Sequence, residues 1–180
     1  GIKTTLVLGP SAETISKDLN VINVTTADEM ISAVKKNLPV DILVCAAAVS
    51  DFRPKIKNKN KIKKNDSNFD TIEFVRNPDL LEYLGKMNKN RPRILVGFSA
   101  ETKDLLKNAQ RKLKEKYCDF IIANDVSKKS IGFNSDHNEV YIIDKSGNKK
   151  KIRKNKKSFI ASIIAESIFE ELLNNGKTTN

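Results

Sequence analysis

The chain has 180 residues, of which 39% are hydrophobic, and a formal net charge of +11. That length predicts one domain with a sizeable core, and the charge raises nucleic acid as a partner. Against nucleic acid, the base is mostly Lys rather than Arg, and the few aromatics do not interleave with the most basic stretch as a base-stacking surface requires. The cysteines, Cys45 and Cys118, sit in apolar stretches and read as buried, reduced thiols of a cytoplasmic protein. The single histidine, His137, reads as a surface loop residue and cannot build a zinc site with two separated cysteines. The longest apolar run, Ile42 to Val49, is too short to span a bilayer, and no signal peptide is visible. The chain opens on Gly1-Ile2-Lys3 without Met, which reads as a fragment or a processed piece.

Thr4-Thr5-Leu6-Val7-Leu8 predicts a short buried strand stopped by Gly9-Pro10, and Val21-Ile22-Asn23-Val24 a second. Thr26 reads as a helix N-cap with Asp28 and Glu29 in the first turn. Met30, Ile31 and Val34 carry the helical spacing to about Asn37-Leu38-Pro39. Asp41 to Ala46 is the next strand, apolar after Asp41 as expected when both faces are covered. This strand, helix, strand order is the grammar of a parallel sheet with crossover helices.

A run of small residues, Ala46-Ala47-Ala48, then leads through Ser50 to Asp51-Phe52-Arg53-Pro54, read as a turn. A lysine-rich flap follows, Lys55 to Lys64. Thr71-Ile72-Glu73-Phe74-Val75 alternates and reads as a half-exposed strand paired with the flap. Asn77-Pro78-Asp79 reads as a helix start, with Asn77 as cap and Pro78 at the first helical position. Arg93 to Phe98 is a buried strand, followed from Phe98-Ser99-Ala100-Glu101-Thr102 by a helix to about Lys116. Lys112 and Lys116, four apart, share one side of it. Cys118 to Ala123 is another strand, with Asn124-Asp125 at its end, and Ile131 to Asp136 reads as a loop. Glu139 to Asp144 and Lys149 to Ile152 flank Lys145-Ser146-Gly147-Asn148, a hairpin signal. The last helix runs from about Asn155 to Leu173 with an apolar stripe, and residues 176–180 form a tail. The fold class expected is α/β, a Rossmann-like, mostly parallel sheet with helices on both faces, plus the flap and a C-terminal β-hairpin.

In an open parallel sheet, ligands bind outside the carboxyl ends of the strands. Asp51, Phe98 to Thr102 and Asn124-Asp125 all fall at such ends. Each also has a plain explanation as turn chemistry. Neither a Gly-x-Gly-x-x-Gly fingerprint nor a Walker-type loop is present, so any phosphate donors are lysines and helix N-termini.

In order, Ala-Ala-Ala-Val-Ser-Asp-Phe-Arg-Pro, Lys-Ile-Lys-Lys, Asn-Pro-Asp-Leu-Leu, Gly-Phe-Ser-Ala-Glu-Thr, Ala-Asn-Asp-Val and Gly-Phe-Asn-Ser-Asp closely resemble phosphopantothenoylcysteine synthetase, the ligase domain of the bacterial bifunctional coenzyme A biosynthesis protein. The resemblance covers the chain from about Leu6 to the last helix, giving a synthetase-like domain over residues 1–175. It implies an enzyme that joins 4′-phosphopantothenate to L-cysteine, using CTP and Mg²⁺ through an acyl-cytidylate. It implies that Cys45, Ala46 and Ala47 lie along the nucleotide and that Asp51 meets a nucleotide hydroxyl or the Mg²⁺ environment. Lys61 is the flap lysine that neutralises the triphosphate, so Lys61 and Asp51 are the catalytic candidates. Pro78, Asp79, Leu80 and Leu81 bring a helix N-terminus to the nucleotide, Phe98 packs on the cytosine or ribose, and Lys112 and Lys116 supply further cations. Ala47, Ala48 and Asp51 also border the phosphopantothenate. The metal ligands are not identified. Family members are homodimers, and FMN belongs to the decarboxylase domain fused upstream.

The family's earlier strand and loop, with a Gly-Gly-Thr turn and a Ser-Asn-x-Ser-Ser-Gly-Lys stretch, have no counterpart in these residues. The expectation is therefore weak or absent complete ligase activity for this piece alone. Three other readings stay open: a nucleotide-binding fragment that does no chemistry, an ATP-using relative as in eukaryotic members, and a basic nucleic-acid-binding module.

Overall fold

The computed structural model describes residues 2–56, 71–127 and 135–177, with side chains to residue 174. The chain divides into two compact units, one of residues 1–37 and 47–79, the other of residues 38–46 and 80–180.

In the first unit, β1 (Thr5–Leu8) and β2 (Asn20–Asn23) pair in parallel. Helix α1 (Ala27–Lys36) follows. Its start is specified locally. The Thr26 hydroxyl accepts from the Glu29 amide, and the Glu29 carboxylate reaches back to the Thr26 amide, a complete capping box. Met30, Ile31, Ala33 and Val34 form the buried stripe. Further on, β4 (Phe52–Pro54) pairs antiparallel with β5 (Phe74–Arg76). The partner of the alternating stretch is thus the segment expected to be a turn. Pro54 has no N–H to give, which a two-stranded ribbon with open edges tolerates. The Lys55 amide extends the pairing to the Glu73 carbonyl at 2.8 Å. The rest of the lysine flap, including Lys61, lies outside the described residues, as does most of the expected Ile131 loop.

The second unit holds a five-stranded sheet in the order β3-β6-β7-β8-β9. β3 (Ile42–Cys45), β6 (Ile94–Glu101) and β7 (Phe120–Asp125) are parallel; β8 (His137–Asp144) and β9 (Lys149–Lys156) continue the sheet antiparallel. The sheet is therefore mixed, because the expected C-terminal hairpin docks on the edge of β7. Its apolar residues Val140, Ile142 and Ile152 bury there with Ile122. The β1–β2 pair is a separate small sheet. β3 is an edge strand with Val44 47% exposed, so its apolar run does not mean that both faces are covered.

Helices cover both faces of the five-stranded sheet. One face gathers Ile94, Val96, Phe120, Ile122, Val140, Ile142 and Ile152 against Ile160, Ile164 and Ile168 of α4 (Lys157–Lys177). The strand β9 runs straight into this helix, which begins two residues later than the sequence suggests. On the other face Leu95, Ile121 and Ile143 are fully buried, and α3 (Leu105–Glu115) packs there with Ala109 and Leu113. α2 (Leu80–Gly85) lies against β6. Gly97 is required at that contact. A Cβ there would stand 2.6 Å from Leu81 Cδ2 and 2.8 Å from Ile121 Cδ1.

Three local expectations change. β6 runs on through Glu101, because its register with β7 continues to the Glu101–Asp125 pair, and the helix starts only at Leu105. α2 starts at Leu80, because the Asn77 side chain is used elsewhere. Its Nδ2 donates to the Ser50 carbonyl at 2.7 Å, and its Oδ1 accepts from Arg53 Nη1 at 2.9 Å. His137 is half-buried at the start of β8, paired with Lys156, and not in a loop.

Candidate functional site

The candidate residues divide between the two units, and each unit's share is built by its own elements. In the first unit, Ala47, Ala48 and Asp51 follow β3 in the chain and are all exposed. Small exposed residues leave the backbone open to close approach by a ligand. The Asp51 carbonyl accepts from the Asn77 amide at 2.8 Å, which ties the segment before β4 to the one after β5. Arg53 reinforces this tie. Its Nη1 also donates to the Arg76 carbonyl at 3.0 Å, and its Nη2 lies 3.6 Å from Asp28. Pro78 and Asp79, exposed, complete the segment that leads to α2.

In the second unit, Cys45 ends β3 and pairs in register with Gly97 of β6. Cys45 is half-buried and Cys118 buried, and neither is in a disulfide. Leu81 packs directly over Gly97, so α2, β6 and the end of β3 meet at one place. Leu80 begins that helix. Phe98 points to the opposite face, where it packs half-buried against the core under α4.

Both candidate lysines of α3 are held by carboxylates. Lys112 Nζ lies 3.8 Å from Glu101 Oε1. Glu101 itself is fixed at the end of β6. The fully buried Ser99 hydroxyl donates to Oε1 at 2.6 Å, and Asn108 Nδ2 of α3 donates to Oε2 at 3.2 Å. Lys116, the C-cap of α3, donates to Glu82 Oε2 of α2 at 2.6 Å. Lys86 donates to the other oxygen of Glu82. The Lys116 bond first, and the Lys86 bond next, hold the Glu82 carboxyl down from 4.5 to about 2. The same contact raises the pKa of Lys86.

Lys116 is positioned by the way α3 ends. The Cys118 amide returns to the Leu113 carbonyl and the Tyr117 amide to Lys114, with Tyr117 at φ 53. This is a Schellman ending with tyrosine where glycine is usual. Arg91 stabilises it by donating to the Tyr117 carbonyl at 2.7 Å. Asp119, buried, then accepts from the Leu95 amide at 2.8 Å and from Arg91 at 3.0 Å, which fixes the start of β7 against β6.

Glu82, Lys86 and Asn108 were not among the residues the sequence singled out, and Glu101 was named only within the Phe98 to Thr102 stretch at a strand end. The i,i+4 spacing of Glu82 and Lys86 was readable as a helix-surface pair. The bond from Glu82 to Lys116 spans 34 residues and had no local signal. Among the described residues no group of three or more His, Cys, Asp or Glu could hold a metal ion. None of their helices is long and apolar enough to cross a membrane.

The model of one protein family, the DNA/pantothenate metabolism flavoprotein C-terminal domain, matches residues 1–172. The chain is 39% identical over 171 residues to the coenzyme A biosynthesis bifunctional protein CoaBC of Borreliella burgdorferi, spanning 94% of this chain and 42% of that protein. It is 40% identical over 154 residues to the protein of the same name from Bacillus subtilis (strain 168), spanning 84% of this chain and 37% of that one. Among solved structures, the C-terminal domain of a CoaBC protein superposes with a TM-score of 0.75 at 30% identity, covering 96% of this chain and 76% of that one. The chain thus spans about two fifths of the length of the curated relatives it matches.

Proposed function

The chain belongs to the DNA/pantothenate metabolism flavoprotein C-terminal domain family, and from that premise we propose that it is a CTP-dependent phosphopantothenate–cysteine ligase. The observation that carries this reading is the 39% identity to a coenzyme A biosynthesis bifunctional protein across 94% of the chain. The six motifs quoted for the resemblance stand in order along the chain.

In the proposed reaction, the carboxylate of 4′-phosphopantothenate attacks the α-phosphorus of CTP and pyrophosphate leaves. The amine of L-cysteine then attacks the acyl carbon, CMP leaves, and the amine's proton is released. Two anionic reactants must first be brought together, so positioning and charge neutralisation are the protein's main tasks. Lys61 neutralises the triphosphate from the flap; a point charge on a flexible stem suits that role. Lys112 and Lys116 add positive charge from α3. Cys45, Ala46 and Ala47 offer backbone groups to the nucleotide, and Pro78, Asp79, Leu80 and Leu81 approach it from the start of α2. The exposed part of Phe98 meets the cytosine or ribose. Ala47, Ala48 and Asp51 border the phosphopantothenate, and the exposure of all three supports this.

Mg²⁺ would accompany the triphosphate, with Asp51 as the candidate carboxylate in its environment. When bound, that ion supplies further neutralisation of the phosphates. The same reading makes residues 1–175 one synthetase-like domain, places the protein in the cytoplasm as a homodimer, and assigns FMN to a decarboxylase domain upstream.

The test is a reaction assay. With 4′-phosphopantothenate, CTP and Mg²⁺ the protein should release pyrophosphate. Release of CMP and formation of the amide on adding L-cysteine would support the whole reaction and overturn the expectation of weak or absent complete activity. CTP binding without pyrophosphate release would favour a nucleotide-binding role instead.

A further inference from the structure

The carboxylate at the middle of α2 is shared by two lysines with different surroundings. Lys116 is largely covered, its side chain 22% exposed, whereas that of Lys86 is 55% exposed. Lys116 donates to Oε2 of Glu82 and Lys86 to Oε1. All three residues belong to the second unit, and the backbones beneath them touch. A Cβ at Gly85 would stand 2.0 Å from the Lys116 carbonyl oxygen. The trio carries a net charge of one positive unit, and Glu82 follows directly on the stretch assigned to the nucleotide.

Resting on the ligase reading above, we propose that Glu82 is a positioning residue that holds the Lys116 ammonium in the free protein and yields it to a nucleotide phosphate, while Lys86 stays behind to neutralise the carboxylate. A long lysine left in water samples many rotamers, and ordering it opposes binding. Glu82 removes that freedom before the nucleotide arrives, but the phosphate must then displace it, and here the displacement costs more than the ordering gains. A carboxylate abandoned beside a triphosphate would repel it, and Lys86 removes that penalty. A phosphate oxygen then competes for Lys116 with an acceptor that already has a second cation. Lys112 follows the same logic. Its carboxylate, Glu101, keeps the Ser99 and Asn108 donors when Lys112 leaves. In both cases the lysine is held by an acid that has another donor to fall back on.

The experiment is a calorimetric titration with CTP and Mg²⁺ of the unsubstituted protein, Glu82→Gln, Lys86→Gln, the Glu82→Gln/Lys86→Gln double variant and Lys116→Gln. Glu82→Gln should tighten CTP binding by about two- to fivefold, the scale of an exposed ion pair. Lys86→Gln should weaken it by a similar factor, and that effect should vanish in the Glu82→Gln background. Equal effects of Lys86→Gln in both backgrounds would reveal only a general field of charge and overturn the hand-over. Weaker binding by Glu82→Gln would overturn it too; either result leaves the ligase reading standing. CTP binding that ignores Lys116→Gln removes Lys116 from the site and the hand-over with it. No CTP binding by the unsubstituted protein removes both the reading and the hand-over. Lys86 is exposed, so Lys86→Gln and Lys116→Gln remain readable even where Glu82→Gln folds poorly, and indifference to Lys116→Gln still overturns the idea.

Discussion

At Glu82, two ammonium groups converge on one carboxylate, and the consequence is measurable by pH. Its carboxyl is held down to about 2 from an ordinary 4.5 by Lys116 first and Lys86 second. An acid depressed in the folded state stabilises the fold above its unfolded value and loses that contribution as the pH falls. The stability difference between the protein and Glu82→Gln should therefore be constant above pH 4.5 and shrink between 4.5 and about 2. Chemical denaturation at a series of pH values checks this; a difference that does not change across that window would contradict it. Residues of this kind were beyond the reach of the sequence, since the Glu82–Lys116 bond is made by tertiary packing. The Thr26–Glu29 capping box was half legible for the opposite reason. All its partners lie within four residues, and Thr26 and Glu29 were both placed at the helix start.

The elements around α2 show where local rules give way to packing. Asn77-Pro78-Asp79 has the composition of a helix start, yet Asn77 bonds to Ser50 and Arg53 and the helix waits until Leu80. Phe98 to Glu101 has the look of a strand-to-helix turn, yet pairing with β7 keeps it extended through Glu101. That extension is what puts Glu101 beside Asn108 and Lys112 on α3. The glycines at the contacts were likewise unreadable, since only the neighbours reveal the lack of space. Gly85→Ala should drive a methyl into the Lys116 carbonyl, separate α2 from α3 and destabilise the protein by about 1–3 kcal/mol. A thermal melt measures this, and an unchanged melting temperature would show that the two helices do not approach so closely. The same variant should also weaken CTP binding, because Glu82 and Lys116 move apart together with their backbones.

At the scale of the whole chain, the alternation of strand and helix correctly implied an α/β fold with a run of parallel strands, β3, β6 and β7, in a sheet with helices on both faces. The direction of β8 and β9 relative to the others was not settled by their hairpin signal. A hairpin fixes how its own two strands run, and which edge it joins depends on the apolar face it must bury. Here Val140, Ile142 and Ile152 bury against β7 and α4, and the result is a mixed sheet. The Ala-Ala-Ala segment, the approach to α2 and the α3 lysines were picked out by motif. That Glu101 and Glu82 hold those lysines emerged only from the fold. The net charge of +11, which first suggested nucleic acid, is in this account largely a field for anionic small molecules, with Lys61, Lys112 and Lys116 as its specific part.

The measurement that tests this most directly is calorimetric titration with CTP and with ATP, each with Mg²⁺, on the unsubstituted protein and on Lys61→Gln. The account predicts that CTP binds more tightly than ATP and that Lys61→Gln weakens it. Binding of neither nucleotide, or binding that falls smoothly with salt and ignores the loss of Lys61, would contradict it.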